Sequence, residues 1–233
     1  MKLQLERARV GYGQTTVLRD FSFSISAGEV AAVLGPNGAG KSTLLRALTA
    51  MVPLNGGRLF LDDQPLTRPT PQYLAQRGIC HITERRSIFD GLTVRDNIRL
   101  FSPRREGAAG LERATSAFPV LGRRLGQLAG SLSGGEQQML ALSRAYVCAP
   151  RIVLVDEVSL GLAPVVLDEI FEFLAALARQ GVGLILVEQY VERALSIAAH
   201  AYVLRRGTFV FDGSAQALTE DAAFDSYLGA QAP

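Results

Sequence analysis

The stretch "GPNGAGKST", Gly35-Pro36-Asn37-Gly38-Ala39-Gly40-Lys41-Ser42-Thr43, fits the pattern G-x-x-x-x-G-K-[ST]. Glycines at this spacing let backbone N–H groups wrap around phosphate oxygens. Lys41 brings a point charge to the outer phosphates, and the Ser42 hydroxyl is a hard oxygen ligand for magnesium. Chemistry on a phosphate also needs a second metal anchor and a group that organises water. Further along, "IVLVDE" supplies Asp156 for the metal shell and Glu157 to accept the proton of an attacking water as general base. Acidic residues end many strands for no catalytic reason, so this pair takes its meaning from the phosphate loop upstream.

A third stretch, "SLSGGEQQMLALSRA", places Ser133, Gly134, Gly135 and Glu136 at the mouth of a helix. Ser133 and Glu136 have capping-box spacing, and Met139, Leu140, Leu142, Ala145 and Tyr146 recur close to a 3.6 period. A helix start attracts anions through its unpaired N–H groups and its dipole. Two adjacent glycines there let an anion come close to the backbone.

The phosphate pattern is meaningful only after a buried strand and at the opening of a helix. Both flanks are present: "EVAAVLG" is a continuous apolar run, and "STLLRALTAM" is apolar-periodic. Before them, "VGYGQTTVL" and "FSFSISAGE" alternate like short strands joined by glycine turns, which predicts an antiparallel β layer. From about residue 93 to 149 the pattern turns helical, in "TVRDNIRLF" and "LERATSAF" around the polar "SPRREGAAG". "RIVLVDE" and "GVGLILVE" then flank the helix-like "VVLDEIFEFLAALARQ", a parallel βαβ unit, and "AYVLRRGTFVFDG" closes as a hairpin-like pair.

At 233 residues with 48% apolar and 20% charged side chains, the chain can bury one large core with a modest insertion. A net charge of +2 argues against a strongly basic nucleic-acid surface. Cys80 and Cys148 form no CxxC pair, so neither a zinc site nor a disulfide framework is suggested, and a reducing compartment fits. His81 and His200 read as structural or surface residues. The start "MKLQLERARVGYG" has no apolar core of signal-peptide length, and no run reaches the roughly 18 apolar residues that span a bilayer. A membrane connection is therefore expected to run through a partner.

In the order "GPNGAGKST", "LSGGEQ", "IVLVDE", the chain resembles the ATP-binding cassette (ABC) ATPases over essentially its whole length. The resemblance implies an α/β P-loop NTPase with a RecA-like core, an antiparallel β subdomain and an inserted helical subdomain. It implies one ABC ATPase domain over 1–233: a core with the β subdomain from 1–92 and 150–233, and a helical signature subdomain over 93–149. It also implies ATP and Mg2+, with two subunits sandwiching two nucleotides. Ser133, Gly134 and Gly135 then cap, in trans, the γ-phosphate held by the phosphate loop of the other subunit. Tyr12 in "GYG" sits where the family stacks an aromatic ring on adenine.

Several positions depart from the common pattern. Glu84 takes the place of a glutamine; its carboxylate can ligate magnesium but lacks the amide donors. Gln189 stands where most members place a histidine near the γ-phosphate; it donates a hydrogen bond but does not titrate near neutral pH, which leaves Glu157 as the base. Val158 replaces a proline, and Ala163 an aspartate that makes contacts in trans. "FDGLTVRDNI", "LSGGEQQMLALSRA" and "SLGLAP" are similar to one subgroup, the smaller, LivF-type ATPase of branched-chain amino acid importers, although its usual "PEGRR" reads "TERRS" here. The expected partners are a second, different ATPase subunit (a homodimer being possible in isolation), two membrane permeases and, indirectly, a solute-binding protein, at the cytoplasmic face of the inner membrane. No nucleic-acid partner is expected. Non-transport cassette ATPases typically carry paired cassettes, coiled-coil insertions or basic arms, none of which the sequence contains; an exporter ATPase differs only in its partner.

Overall fold

The computed structural model describes residues 1–83, 88–103 and 106–220. Among these described residues, ten strands run in chain order: β1 Lys2–Tyr12, β2 Thr15–Ser26, β3 Val30–Leu34, β4 Gly56–Leu61, β5 Gln64–Pro65, β6 Ile79–Ile82, β7 Ile152–Asp156, β8 Gly183–Val187, β9 His200–Arg205 and β10 Thr208–Ser214. The helices are α1 Lys41–Leu48, α2 Pro71–Gln76, α3 Val94–Phe101, α4 Gly107–Ala117, α5 Pro119–Arg123, α6 Gly134–Val147, α7 Pro164–Arg179, α8 Val191–Ile197 and α9 Ala215–Glu220.

Two sheets form. The smaller has the order β2-β1-β4-β5, all antiparallel, and the larger β10-β9-β3-β8-β7-β6. The expected antiparallel layer is there, and β4 and β5, which the alternation did not flag, extend it. In the larger sheet β6, β7, β8, β3 and β9 are parallel, with β10 antiparallel on β9. The expected terminal hairpin is thus also a sheet edge, because β9 pairs with β3 in register Ala32↔Ala201.

The parallel strands read as unbroken apolar runs because both of their faces are covered. Ile152 and Leu154 of β7 point into a core shared with the antiparallel sheet and α1, where Leu5, Phe23, Leu44 and Leu48 meet them. Val153 and Val155 point the other way, into a core built with the helical segment and α7, among Ile98, Leu140, Leu142, Ile170 and Leu174. Truncating either Leu154 or Leu140, both 0% exposed, to alanine removes roughly 2–5 kcal/mol. The helical stretch between β6 and β7 holds α3 to α6. Thr93 caps α3 by accepting from the Asp96 N–H at 3.1 Å. Asn97, fully buried, accepts the Phe89 N–H at 2.8 Å and donates to the carbonyls of Phe89 and Thr93, both at 3.0 Å. One buried amide thereby shapes the whole loop from 89 to 93.

Candidate nucleotide site at the ends of three adjacent strands

β3, β8 and β7 lie side by side, and their carboxyl ends release the phosphate loop, Gln189 and the Asp156–Glu157 pair onto one edge of the sheet. Ligands of open parallel sheets bind in such a crevice. A cavity of about 410 Å³ opens here, lined by Val17, Asn37, Gly38, Gly40, Lys41, Ser42, Thr43, Glu157, Leu160 and Gln189.

The loop is shaped by its glycines. A Cβ on Gly35 would stand 2.1 Å from the Leu204 carbonyl oxygen, so only glycine lets the chain leave β3 against β9. Gly38 has open space around it but a φ of +77°, which L side chains rarely adopt. α1 then begins at Lys41 with no side-chain cap, leaving its first-turn N–H groups facing the loop. Lys41, only 5% exposed, threads back through the loop and donates from Nζ to the carbonyls of Gly35 at 2.9 Å and Pro36 at 3.3 Å. The same ammonium lies 3.5 Å from Glu157 Oε1. Positive charge and backbone donors thus surround the space where the pattern places phosphates.

Ser42 Oγ donates to Asp156 Oδ1 at 3.0 Å, with Asp156 3% exposed. Two hard oxygen donors at one point suit magnesium, which is held by one or two protein oxygens with water and substrate phosphates completing its shell. Among the described residues there is no group of three or more His, Cys, Asp or Glu able to cage a metal. Glu84, the third expected ligand, lies outside the described residues. Glu157 adopts a left-handed φ of +48°, its N–H donating to the Val187 carbonyl at 2.8 Å, and its Oε2 accepts from Gln189 Nε2 at 3.3 Å. A non-glycine residue held there costs about 1–3 kcal/mol, which the ladder bond and the ion pair help to sustain.

The structure does not bring every expected residue into this cavity. Pro36 and Ala39 shape the loop from behind, Ala39 being 4% exposed within the core. Tyr12 stands outside the lining, 45% exposed, its hydroxyl 3.4 Å from Arg46 Nη1. Ser133, Gly134, Gly135 and Glu136 sit on the helical layer, away from this lining. The capping box is formed: Glu136 N–H donates to Ser133 Oγ at 3.3 Å, and Ser133 N–H to Glu136 Oε2 at 3.0 Å. The Ser133 N–H, helped by Arg124 at 3.3 Å, holds the Glu136 carboxyl below its ordinary value. Gly135 abuts the start of α7, where an added Cβ would meet Val166 methyls at 3.0 Å. Sequence reasoning missed Val17 and Leu160 as lining residues and the buried pair Ser159–Glu188 behind Gln189. Glu188, a charged residue directly after the apolar run of β8, is the signal the sequence offers for that pair, and spacing alone does not interpret it.

The family model described as ABC transporter matches residues 18–159. The high-affinity branched-chain amino acid transport ATP-binding protein BraG of Pseudomonas aeruginosa is 37% identical over 231 residues, 97% of this chain and 99% of that protein. The "Probable branched-chain amino acid transport ATP-binding protein LivF" of Archaeoglobus fulgidus is 33% identical over 227 residues, 96% of each chain. Among solved structures, a nucleotide-free ATP-binding cassette from an ABC transporter superposes with a TM-score of 0.84 at 23% identity, covering 97% of this chain and 98% of that one. With its phosphate loop, acidic strand end and capped glycine helix in one fold, the chain belongs to the ABC transporter family, as an ATP-binding cassette ATPase.

Proposed function

We propose that the chain is the motor subunit of an importer for branched-chain amino acids or related small solutes, driven by magnesium and ATP. The observation that carries the catalytic part is the convergence of Lys41, the Ser42–Asp156 pair and the Glu157–Gln189 pair at the ends of β3, β7 and β8. Lys41, Thr43 and the loop backbone hold the phosphates, and Gln189 donates from its amide toward the terminal one. Ser42 and Asp156 would hold the metal, which would supply charge neutralisation on the phosphate oxygens. Glu157 takes the proton of the attacking water as the new oxygen–phosphorus bond forms and ADP leaves. Tyr12 offers its ring face to adenine at the rim.

Ser133, Gly134, Gly135 and Glu136 lie away from the chain's own cavity, which supports their use in trans by a second ATPase subunit. The segment 93–149 would then act as the lever between nucleotide and permease, with 1–92 and 150–233 as the motor core. A groove of about 520 Å³ lined by Ile88, Phe89, Leu100, Phe101, Arg144 and Cys148 supports permease docking, because Phe89 and Leu100 are 54% and 59% exposed. Among the described residues no helix is long and apolar enough to cross a membrane. Attachment to the cytoplasmic face of the inner membrane therefore runs, in this reading, through two permeases, with a solute-binding protein upstream. The solute class comes from the likeness to BraG and LivF.

The deciding experiment uses Glu157→Gln, with mass measured by light scattering in ATP and in ADP. Retained ATP binding, lost hydrolysis and an ATP-dependent dimer are expected. A variant that binds ATP yet stays monomeric would assign the trans half to a different chain. Failure of the unaltered protein to bind ATP would refute the reading.

A further inference from the structure

Behind the cavity, two polar side chains that the reaction scheme leaves unused are buried against each other. Glu188 is 3% exposed and Ser159 is 1% exposed, and the Ser159 hydroxyl donates to Glu188 Oε2. Glu188 Oε1 has no hydrogen-bond partner among the described residues. Hydrogen bonding from the Val158 and Gln189 N–H groups to the carboxyl favours its charged form, which burial opposes more strongly.

Position makes the pair informative. Ser159 is two residues beyond Glu157, and Glu188 directly precedes Gln189. Glu157 and Gln189 are themselves joined, Nε2 to Oε2, at 3.3 Å. The chain from 157 to 159, the Ser159–Glu188 bond, the step to Gln189 and the Gln189–Glu157 bond therefore close a ring, with the bond from Glu157 N–H to the Val187 carbonyl spanning it. Its inner half, Val158, Ser159 and Glu188, is buried; its outer half, Glu157 and Gln189, lines the cavity beside Leu160. A buried carboxyl with one unpartnered oxygen is an expensive way merely to fill space, and apolar residues of similar volume at 159 and 188 would pack at lower cost. What it adds is direction. The hydrogen bond fixes both loops in one relative orientation, and the left-handed Glu157 depends on its surroundings to stay in place.

We propose that Ser159 and Glu188 form a clasp of positioning residues that sets Glu157 and Gln189 for the hydrolytic step. This rests on the nucleotide-site reading above. Neither residue touches the reacting atoms; both act through the two that line the cavity.

The test compares the full chain with Ser159→Ala, Glu188→Leu, the double variant and the conservative Glu188→Gln, whose amide oxygen still accepts the Ser159 hydroxyl. Steady-state hydrolysis, affinity for a fluorescent ATP analogue and thermal melting are measured on each. The expected result is a kcat lowered roughly 10- to 100-fold in Ser159→Ala and Glu188→Leu, with analogue affinity within about twofold of the parent. The double variant should be no worse than the worse single one, and Glu188→Gln should recover most of the rate. Folded variants with unchanged kcat, or with kcat and affinity falling in parallel, would overturn the clasp, as would additive losses. Ser159→Ala keeps the test decisive if Glu188→Leu does not fold. The parent separates the two failures: if it hydrolyses ATP and the variants match it, only the clasp is lost, whereas a parent that binds no analogue removes the nucleotide reading as well.

Discussion

Replacing Glu188 by glutamine should make the protein more stable at neutral pH while leaving its acid stability nearly unchanged. Burial pushes the Glu188 carboxyl from 4.5 up to about 7; the Ser159 hydrogen bond and the Val158 N–H offset part of this, and the neighbouring Glu157 charge adds to it. Between those two values the folded chain keeps a proton that the unfolded chain has released. The stability contributed by the neutral carboxyl is complete below pH 4.5, declines as pH rises and is gone above about 7. The whole decline is roughly 3 kcal/mol, at about 1.4 kcal/mol per pH unit. Glutamine does not titrate, so the variant lacks this slope. The group of opposite sign in the same window is His81, which burial first, then Arg46 and Arg144, pull down to about 4. Its stability is present above the ordinary 6.5 and is lost as pH falls, and because both proteins carry it, it cancels in the difference. Urea unfolding of parent and variant at fixed ionic strength across this range should show the variant gaining roughly 3 kcal/mol from acid to neutral pH and nothing further above it, equivalent to about 6–12 °C in Tm. Parallel curves would refute the argument, because Glu188 would then be ionised in the folded protein like any surface glutamate.

Three shorter expectations follow from contacts already described. Gly35→Ala puts a methyl 2.1 Å from the Leu204 carbonyl at a φ of +138°, so it should lower stability by more than about 3 kcal/mol, read by thermal melting; a shift within experimental error would show that the loop relocates freely. Gly135→Ala presses on Val166 at 3.0 Å and should destabilise by about 1 kcal/mol, with Val166→Ala restoring the loss in the double variant; additive losses would place the strain elsewhere. Phe89→Glu, at an exposed rim of the apolar groove, should leave ATP hydrolysis by the isolated chain unchanged and abolish co-purification with the permeases proposed above; retained co-purification would move the proposed docking surface off this groove.

Much of the fold is written in local pattern. The continuous runs before Gly35 and through Asp156 and Val187 become strands buried on both faces, and the alternation around Phe21 and Phe23 becomes a layer buried on one. β5 and β6 escaped because two and four residues are too few for a pattern to stand apart from its turns, and β4 because it opens on Gly56, Gly57 and Arg58 rather than on an unbroken apolar run; their strand character comes from pairing with β1, β4 and β7. In the candidate site, the Gly35–Thr43 loop, Asp156 and Glu157 are legible as candidates because their chemistry demands fixed residue types at fixed spacing, and the capping box at Ser133 because its two partners are three residues apart.

By itself the sequence determined that candidate phosphate and metal groups stand at fixed spacing in Gly35–Thr43 and Asp156–Glu157, and that Ser133 and Glu136 cap a glycine-opened helix, since these follow from groups close together in the chain. Only the tertiary structure decided that β8 lies between β3 and β7, so that Gln189 meets Glu157 and Glu188 meets Ser159 across some thirty residues of chain. It also decided that Ser133, Gly134, Gly135 and Glu136 do not line the cavity beside Lys41 and Ser42. The reason is physical: strand order is fixed by which apolar faces bury against which, and that balance is struck over the whole molecule rather than within any one segment.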